Sequence, residues 1–397
     1  MTRRGWISQL LFGSSAMLRA PESRTLVCVF LRGGADTLNM VTPFADDRYH
    51  RLRPTLALKP PGADSDALLK IDDSWGLHPR MEPLLPLYHE GRMAVVQGVG
   101  NDNPTGSHFE CQDQVERGIA YGEAAGGGWL GRHLRSRNGP PPGPLSAISI
   151  GATLPELLRG APSASALRSL EDIDIRTPVG DPELAADALS RLYQLPVGLL
   201  GEQGRATVEL FRRVKALRES PTPPGPGIEY PDDGFGAGLH EIARLIKANV
   251  GLEVACIDLG GWDTHFVQGG VDGLHGRRVD LLSRGLAALH RDTAGSGHQV
   301  TTVVITEFGR RLYENGSRGT DHGRGFALLA LGDGIRGGRV LGDWTGVEEE
   351  QPPGPTGLRI AHDYRSVLAE LLRGVIGNER VERDVFPGVA LQPVGLA

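Results

Sequence analysis

The sequence predicts an α/β fold with a mainly parallel central sheet flanked by helices on both faces. Two observations carry that expectation. Six short apolar runs rich in β-branched residues recur along the 397 residues. They are continuous rather than alternating, as strands buried on both faces of a parallel sheet require. Between them lie longer stretches whose apolar residues are three and four apart, the spacing of amphipathic helices. Strands that alternate with helices in this way build a layered α/β domain.

In chain order, the expected strands are Leu26–Leu31, Met93–Val99, Ala147–Ile150, Leu252–Leu259, Val300–Ile305 and Phe326–Leu331. The expected helices are Met81–His89, Phe109–Arg117, Glu183–Leu195, Ala206–Glu219, Leu239–Asn249, Arg277–Arg291 and Tyr364–Ile376. Asp181-Pro182 supplies an N-cap and a first-turn proline for the third of these, and His362-Asp363 precedes the last as an N-cap. Proline- and glycine-rich loops are expected at Ser136–Pro144, Ser220–Gly238 and Gln351–Gly357. No internal repeat is visible. Residues 21–397 are expected to form one α/β domain with a helical insertion at about 152–248.

Composition narrows the function. Hydrophobic residues make up 40% and charged residues 23%, an ordinary globular balance. A net charge of −6 argues against a nucleic-acid partner, which usually needs a basic domain. No apolar run approaches the ~18 residues of a transmembrane helix. Cys28, Cys111 and Cys256 are too few and too scattered for a disulfide framework, and no CxxC offers a thiolate zinc site. At the N-terminus, Arg3-Arg4 and the bulky Trp6-Ile7 precede a short apolar segment from Leu10 to Leu18. This pattern in residues 1–20 looks like a Tat export signal and implies a periplasmic or secreted protein, with a cytoplasmic location otherwise.

In an open parallel sheet, ligands bind beyond the carboxyl ends of the strands. Polar residues crowd those exits here. Arg32-Gly33-Gly34-Ala35-Asp36 comes after the first strand, and Asn101 to His108 after the second. Trp262-Asp263-Thr264-His265 and Thr306-Glu307-Phe308-Gly309-Arg310 come after two others, and Thr320-Asp321-His322 lies soon beyond. Aspartate and histidine together suit a divalent cation such as Zn²⁺, Mn²⁺ or Mg²⁺. Asp263 and His265, two apart on an extended segment, face one side.

Ser107 fits a capping box with Glu110. The same place, at a helix N-terminus, is also a seat for phosphate or sulfate, and a nearby metal would make the serine a nucleophile. Gly126 to Gly131 reads G-x-G-x-x-G but comes after no strand, which argues against a dinucleotide site. There is no G-x-S-x-G nucleophile elbow. His78 either caps a helix or lines the site, and Arg310-Arg311 either binds an anion or opens a solvated helix.

The segments LVCVFLRGGADTLNMVTPF, RLRPTLAL, GLHPRMEPL, RMAVVQGVGNDNPTGSHFECQD, GGWLGRHL, LGGWDTH, TEFGRRLYENGSRGTDHGRG and HDYRSVLAELL occur in order over nearly the whole chain. By these the chain resembles the bacterial DUF1501 family, placed in the alkaline phosphatase–sulfatase superfamily. The resemblance implies an alkaline-phosphatase-like sheet and metal-coordinated hydrolysis of phosphate or sulfate esters. It implies metal ligation by Asp36, by the pair Asp263 and His265, and by Asp321 with His322. It places Ser107 as the nucleophile. Glu307-Phe308 stands where the superfamily carries Asp-His, a departure that removes one ligand from a two-metal site. One divalent ion is therefore expected, with two as the fuller alternative.

Two functions are compatible with these residues. The first is an exported metal-dependent hydrolase of a small anionic ester. Asp36, Asp263, His265, Glu307, Asp321 and His322 would hold the metal, with Ser107 as nucleophile and His108 or His78 as general acid. The second is a non-catalytic binding protein on the same scaffold, holding an anionic ligand, a carbohydrate or a partner protein.

Overall fold

The computed structural model describes residues 23–137, 142–173, 182–193, 198–220, 222–344, 346 and 357–397. The expected signal segment and most of the expected loop at 351–357 lie outside the described residues. Strands β1 (Ser23–Arg32), β2 (Val41–Thr42), β3 (Leu69–Lys70), β4 (Gly76–Leu77), β5 (Met93–Gly100) and β6 (Ala147–Ile150) come first. Next are β7 (Ser165–Leu167), β8 (Val254–Gly260), β9 (His298–Thr306), β10 (Phe326–Gly332), β11 (Arg339–Leu341) and β12 (His362–Asp363). The α-helices are α1 (Asp47–Leu52), α2 (Leu85–His89), α3 (His108–Arg117), α4 (Trp129–Ser136), α5 (Pro182–Leu192), α6 (Leu199–Glu219), α7 (Gly234–Lys247), α8 (Leu274–Thr293) and α9 (Tyr364–Leu371).

One large sheet runs in the order β11-β5-β10-β9-β1-β8-β6-β7, with β12 also beside β5, while β2, β4 and β3 form a small separate sheet. β1 pairs in parallel with β8 and β9, and β6 with β8 and β7. β10 alone runs against its neighbours β9 and β5. That reversal has a simple cause. The chain leaves β9 at the carboxyl edge, makes a long excursion over residues 307–325, and re-enters from the same edge. The excursion thus stays at the edge where β1, β5 and β8 also end.

β1 shows how the sequence sets the layers. Val27, Val29 and Leu31 face one core with Leu239 and Ile242 of α7 and Leu282 and Leu286 of α8. Leu26, Cys28 and Phe30 face the other, with Leu130 of α4 and Val367 of α9. Successive strand side chains point to opposite faces, so a strand covered on both must be apolar throughout. Truncating Phe30 to alanine in such a core costs about 3–5 kcal/mol.

Several helices begin earlier than their apolar spacing indicates. α7 starts at Gly234, where the Asp233 side chain accepts from the Gly236 N–H, and α8 starts at Leu274. The expected helix at Met81–His89 is instead a 3₁₀ turn, Pro79–Leu84, running into α2, because Pro83 and Pro86 interrupt the α-helical hydrogen bonds. Cys28, Cys111 and Cys256 are all buried free thiols. Among the described residues no helix is long and apolar enough to cross a membrane.

Candidate metal centre

Three loops meet at the carboxyl edge. They leave β1, β8 and β9, and the start of α3 joins them. Gly33 (φ +117°) lets the first two touch, since a Cβ there would lie 2.6 Å from the Asp263 nitrogen. Trp262, fully buried, anchors the second loop, and its N–H donates to the Arg32 carbonyl at 3.3 Å.

At the centre is the Oδ1 oxygen of Asp263. His265 Nε2 lies 3.0 Å from it, His322 Nε2 3.2 Å and His108 Nε2 3.4 Å. Each ring turns its other nitrogen to an acceptor. His265 Nδ1 is 2.8 Å from Asp321 Oδ1, His108 Nδ1 is 2.8 Å from Glu307 Oε1, and His322 Nδ1 is 2.8 Å from the Gly106 carbonyl. A carbonyl or carboxylate oxygen only accepts, so each Nδ1 carries the proton. All three Nε2 lone pairs then converge on one carboxylate oxygen. This is the arrangement by which outer partners fix the tautomer of a metal-binding imidazole.

The fit to a cation rests on one contact. His265 Nε2 and His322 Nε2 are 2.9 Å apart. With both Nδ1 atoms donating, two neutral rings would oppose their lone pairs. A positive species between them, a proton or a metal ion, removes that repulsion. His108 Nε2 is buried without a hydrogen-bond partner, which marks a donor atom left over for the same species. His108, Asp263 and His322 have ligand atoms within 4.8 Å of one another, and His265 Nε2 adjoins two of the three, Asp263 and His322.

The charges agree. Although burial opposes its charge, the Arg310 guanidinium and the neighbouring imidazoles hold the Asp263 carboxyl down at about 2. Burial and Arg310 push the His322 imidazole below its ordinary value, towards the neutral form that binds metals. The hydrogen bond to Glu307 pushes His108 up.

Glu307 and Asp321 stand behind the histidines. Glu307 is fully buried; its Oε1 also accepts from the Gln112 amide at 2.9 Å and the Gly33 N–H at 2.8 Å, and its Oε2 from Thr306 at 2.9 Å. Asp321 Oδ1 also accepts from Asn315 at 2.9 Å. Asp36 sits apart in a buried network. Its Oδ2 accepts from Arg53 Nη1 and Gln268 Nε2, each at 2.6 Å. Gln268 Oε1 in turn accepts from the hydroxyls of Thr264 and Thr320 at 2.8 and 2.7 Å. Asp36 is thus coupled through Gln268 to the two loops that carry Asp263, His265, Asp321 and His322.

Arg310 is neither an anion clamp nor a solvated helix start. It is buried and donates to the carbonyls of Gly33, Gly34, Trp262 and Thr320, and at 2.7 Å to Asp263 Oδ1. Phe308 is the apolar wall. Its ring centroid lies 4.9 Å from that of His108 and 4.8 Å from that of His322.

Ser107 holds the N-cap position of α3, between Gly106 and His108, both of which touch the site. Its hydroxyl makes no capping bond, so the capping box does not form. The first-turn N–H groups of α3 are left without a serine cap. His78 caps the 3₁₀ turn instead, with Nδ1 accepting from the Arg80 N–H at 3.0 Å.

Four residues that shape the site are not among the expected ligands or catalytic groups: Arg53, Gln268, Arg310 and Phe308. The signal for two of them is proximity, since Phe308 and Arg310 lie in the same strand-exit segment as Glu307. Residues 23–356 match the model of a family described as a protein of unknown function, DUF1501. No curated protein matches the chain.

Proposed function

The chain belongs to the DUF1501 family, and from its site we propose that it is a metal-dependent hydrolase of phosphate or sulfate esters on an alkaline-phosphatase-like scaffold. The observation that carries this reading is the convergence of His108, His265 and His322 Nε2 on Asp263 Oδ1. Three imidazoles and a carboxylate suit zinc or manganese better than magnesium, which prefers oxygen ligands. A bound divalent ion supplies a Lewis acid that lowers the pKa of a hydroxyl and stabilises developing negative charge.

The chain's own residues do the rest. Ser107, next in the chain to His108, would supply the hydroxyl that attacks phosphorus or sulfur in line, losing its proton to solvent as the ester P–O or S–O bond breaks and the alcohol leaves. The first turn of α3 offers backbone N–H groups and the positive helix end to the ester oxygens. Glu307 and Asp321 keep the rings of His108 and His265 in one tautomer. Arg310 holds Asp263 ionised. The twin-arginine start supports export of the folded protein to the periplasm. The competing reading, a binding protein on the same scaffold, draws on Phe308 standing where the superfamily has a metal-binding histidine.

Elemental mass spectrometry on protein purified without chelator tests the site, with wild type beside the Asp263→Ala/His322→Ala variant. About one equivalent of zinc or manganese, lost in the variant, is expected. Aryl phosphate and aryl sulfate hydrolysis by the loaded protein, falling by about 10²-fold or more in Ser107→Ala, separates hydrolase from binding protein. No metal even after reconstitution overturns the metallohydrolase.

A further inference from the structure

Each of the two carboxylates that orient a ring is itself met by a carboxamide. Gln112 Nε2 donates to Glu307 Oε1 at 2.9 Å, and Asn315 Nδ2 to Asp321 Oδ1 at 2.9 Å. The two carboxylates are not equally supported. Glu307 also accepts from the Gly33 N–H and the Thr306 hydroxyl. Among the described residues, the Asp321 carboxylate accepts only from His265 Nδ1 and Asn315 Nδ2.

Asn315 is fixed from behind. Its Oδ1 accepts the Ser317 N–H at 2.9 Å and the Gly319 N–H at 3.1 Å, a turn that asparagine favours. Both amide hydrogens therefore point the other way. One goes to Asp321 Oδ1 and the other to the His265 carbonyl at 3.0 Å. Every hydrogen-bonding group of the amide is used, and a reversed amide would set its oxygen against two acceptors. The turn lies directly on the histidine. A Cβ at Gly319 would be 2.3 Å from the His265 carbonyl carbon. The Val267 and Gln268 N–H groups donate to the Ser317 and Arg318 carbonyls at 3.0 and 2.9 Å, which ties the two segments together.

We propose that Asn315 is a positioning residue that clamps His265 at both ends, its backbone carbonyl directly and its ring through Asp321, so that Nε2 stays aimed at Asp263 Oδ1. The role of the clamp in holding a divalent cation rests on the metal reading above. Asparagine alone suits the place. Aspartate keeps the turn but sets an oxygen against the Asp321 carboxylate and the His265 carbonyl. Serine keeps the turn more weakly and has no second group to reach either partner. Gln112 serves His108 in the same manner, with Gly33 and Thr306 sharing the task.

The test is NMR of the metal-free full chain labelled with ¹⁵N-histidine, followed by zinc titration against a chelator. Wild type is expected to show a downfield, slowly exchanging Nδ1–H for both His265 and His108. In Asn315→Asp the His265 signal is expected to vanish while that of His108 stays, and zinc affinity to fall about 10–100-fold. Asn315→Ser, the milder change should the aspartate variant not fold, is expected to give the same split. Gln112→Met is expected to weaken zinc binding less than either. A His265 Nδ1–H that survives in both Asn315 variants overturns the clamp. So does the loss of both rings' signals together, the mark of general loosening. Wild type that binds no zinc overturns the metal reading instead, and the metal-free spectra still decide the clamp.

Discussion

The carboxylate of Glu307 lies 2.8 Å from Nδ1 of His108, and this contact turns the Nε2 lone pair of His108 towards Asp263. The two residues come from different elements, the end of β9 and the start of α3. Glu307→Gln keeps the shape but puts an amide where three further donors already point. We expect a 10–100-fold weaker metal affinity, as is usual for loss of the partner that orients an imidazole. Competition with a zinc chelator measures it. Unchanged affinity would mean that the packing of Phe308, and not Glu307, fixes the ring.

Asp36 and Arg53 give a second prediction. Their contact is fully buried, with side chains 1% and 0% exposed. Removing one member of such a pair leaves the other uncompensated and costs about 3–5 kcal/mol. Asp36→Asn should therefore lower urea stability strongly. If Asp36 serves the site only through Gln268, the folded variant retains about one equivalent of metal. Loss of metal at full stability would place Asp36 among the ligands.

How far the sequence reaches is visible in these residues. The exits of β1, β5, β8 and β9 are legible because buried parallel strands are continuous apolar runs, and the segments beyond them are polar and glycine-rich. Asp263, His265, His322 and His108 therefore stand out, as do Glu307 and Asp321. Their division of labour does not. Whether a carboxylate meets the cation or the far nitrogen of a histidine depends on ring orientation, which spacing along the chain does not encode. Adjacency to Ser107 suggests an acid in His108, yet it points Nε2 at Asp263. Arg310 reads as a surface cation because arginine usually is one. Its burial depends on carbonyls brought in by the loops after β1 and β8.

The third prediction concerns acid. Burial lowers His290 from 6.5 to about 4, and burial with Arg137 lowers His133 likewise. The unfolded chain takes up these protons near pH 6.5, the folded chain only near pH 4. Stability from both groups is thus fully present above pH 6.5 and falls as pH drops towards 4, by up to a few kcal/mol per histidine. His290→Gln, which can keep the hydrogen bond to Thr302, should flatten this loss by about one proton in urea unfolding from pH 7 to pH 5. An unchanged slope would show that His290 is already protonated in the fold.

Gly34 supports a fourth. It has φ +61°, and a Cβ added there would lie 2.4 Å from the Phe308 ring. Gly34→Ala must shift Phe308, which packs on both His108 and His322. We expect weaker metal binding together with a stability loss of about 1–3 kcal/mol. Gly34→Ala combined with Phe308→Leu should recover part of the stability, because the smaller side chain leaves room. No recovery would locate the damage in the backbone instead.

Val267 supports the last, which concerns stability alone. Its φ of +44° stores strain that asparagine tolerates far better. The side chain is mostly exposed, so its removal forfeits little packing. Val267→Asn should therefore raise stability by about 0.5–1 kcal/mol, near the low end of what one strained residue holds. Urea unfolding curves of Val267→Asn beside wild type check it, and Val267→Ala, which still pays the left-handed penalty, should gain less. A variant no more stable than wild type would show that the backbone bonds to Ser317 and Arg318, and not the side chain, set the cost of this turn.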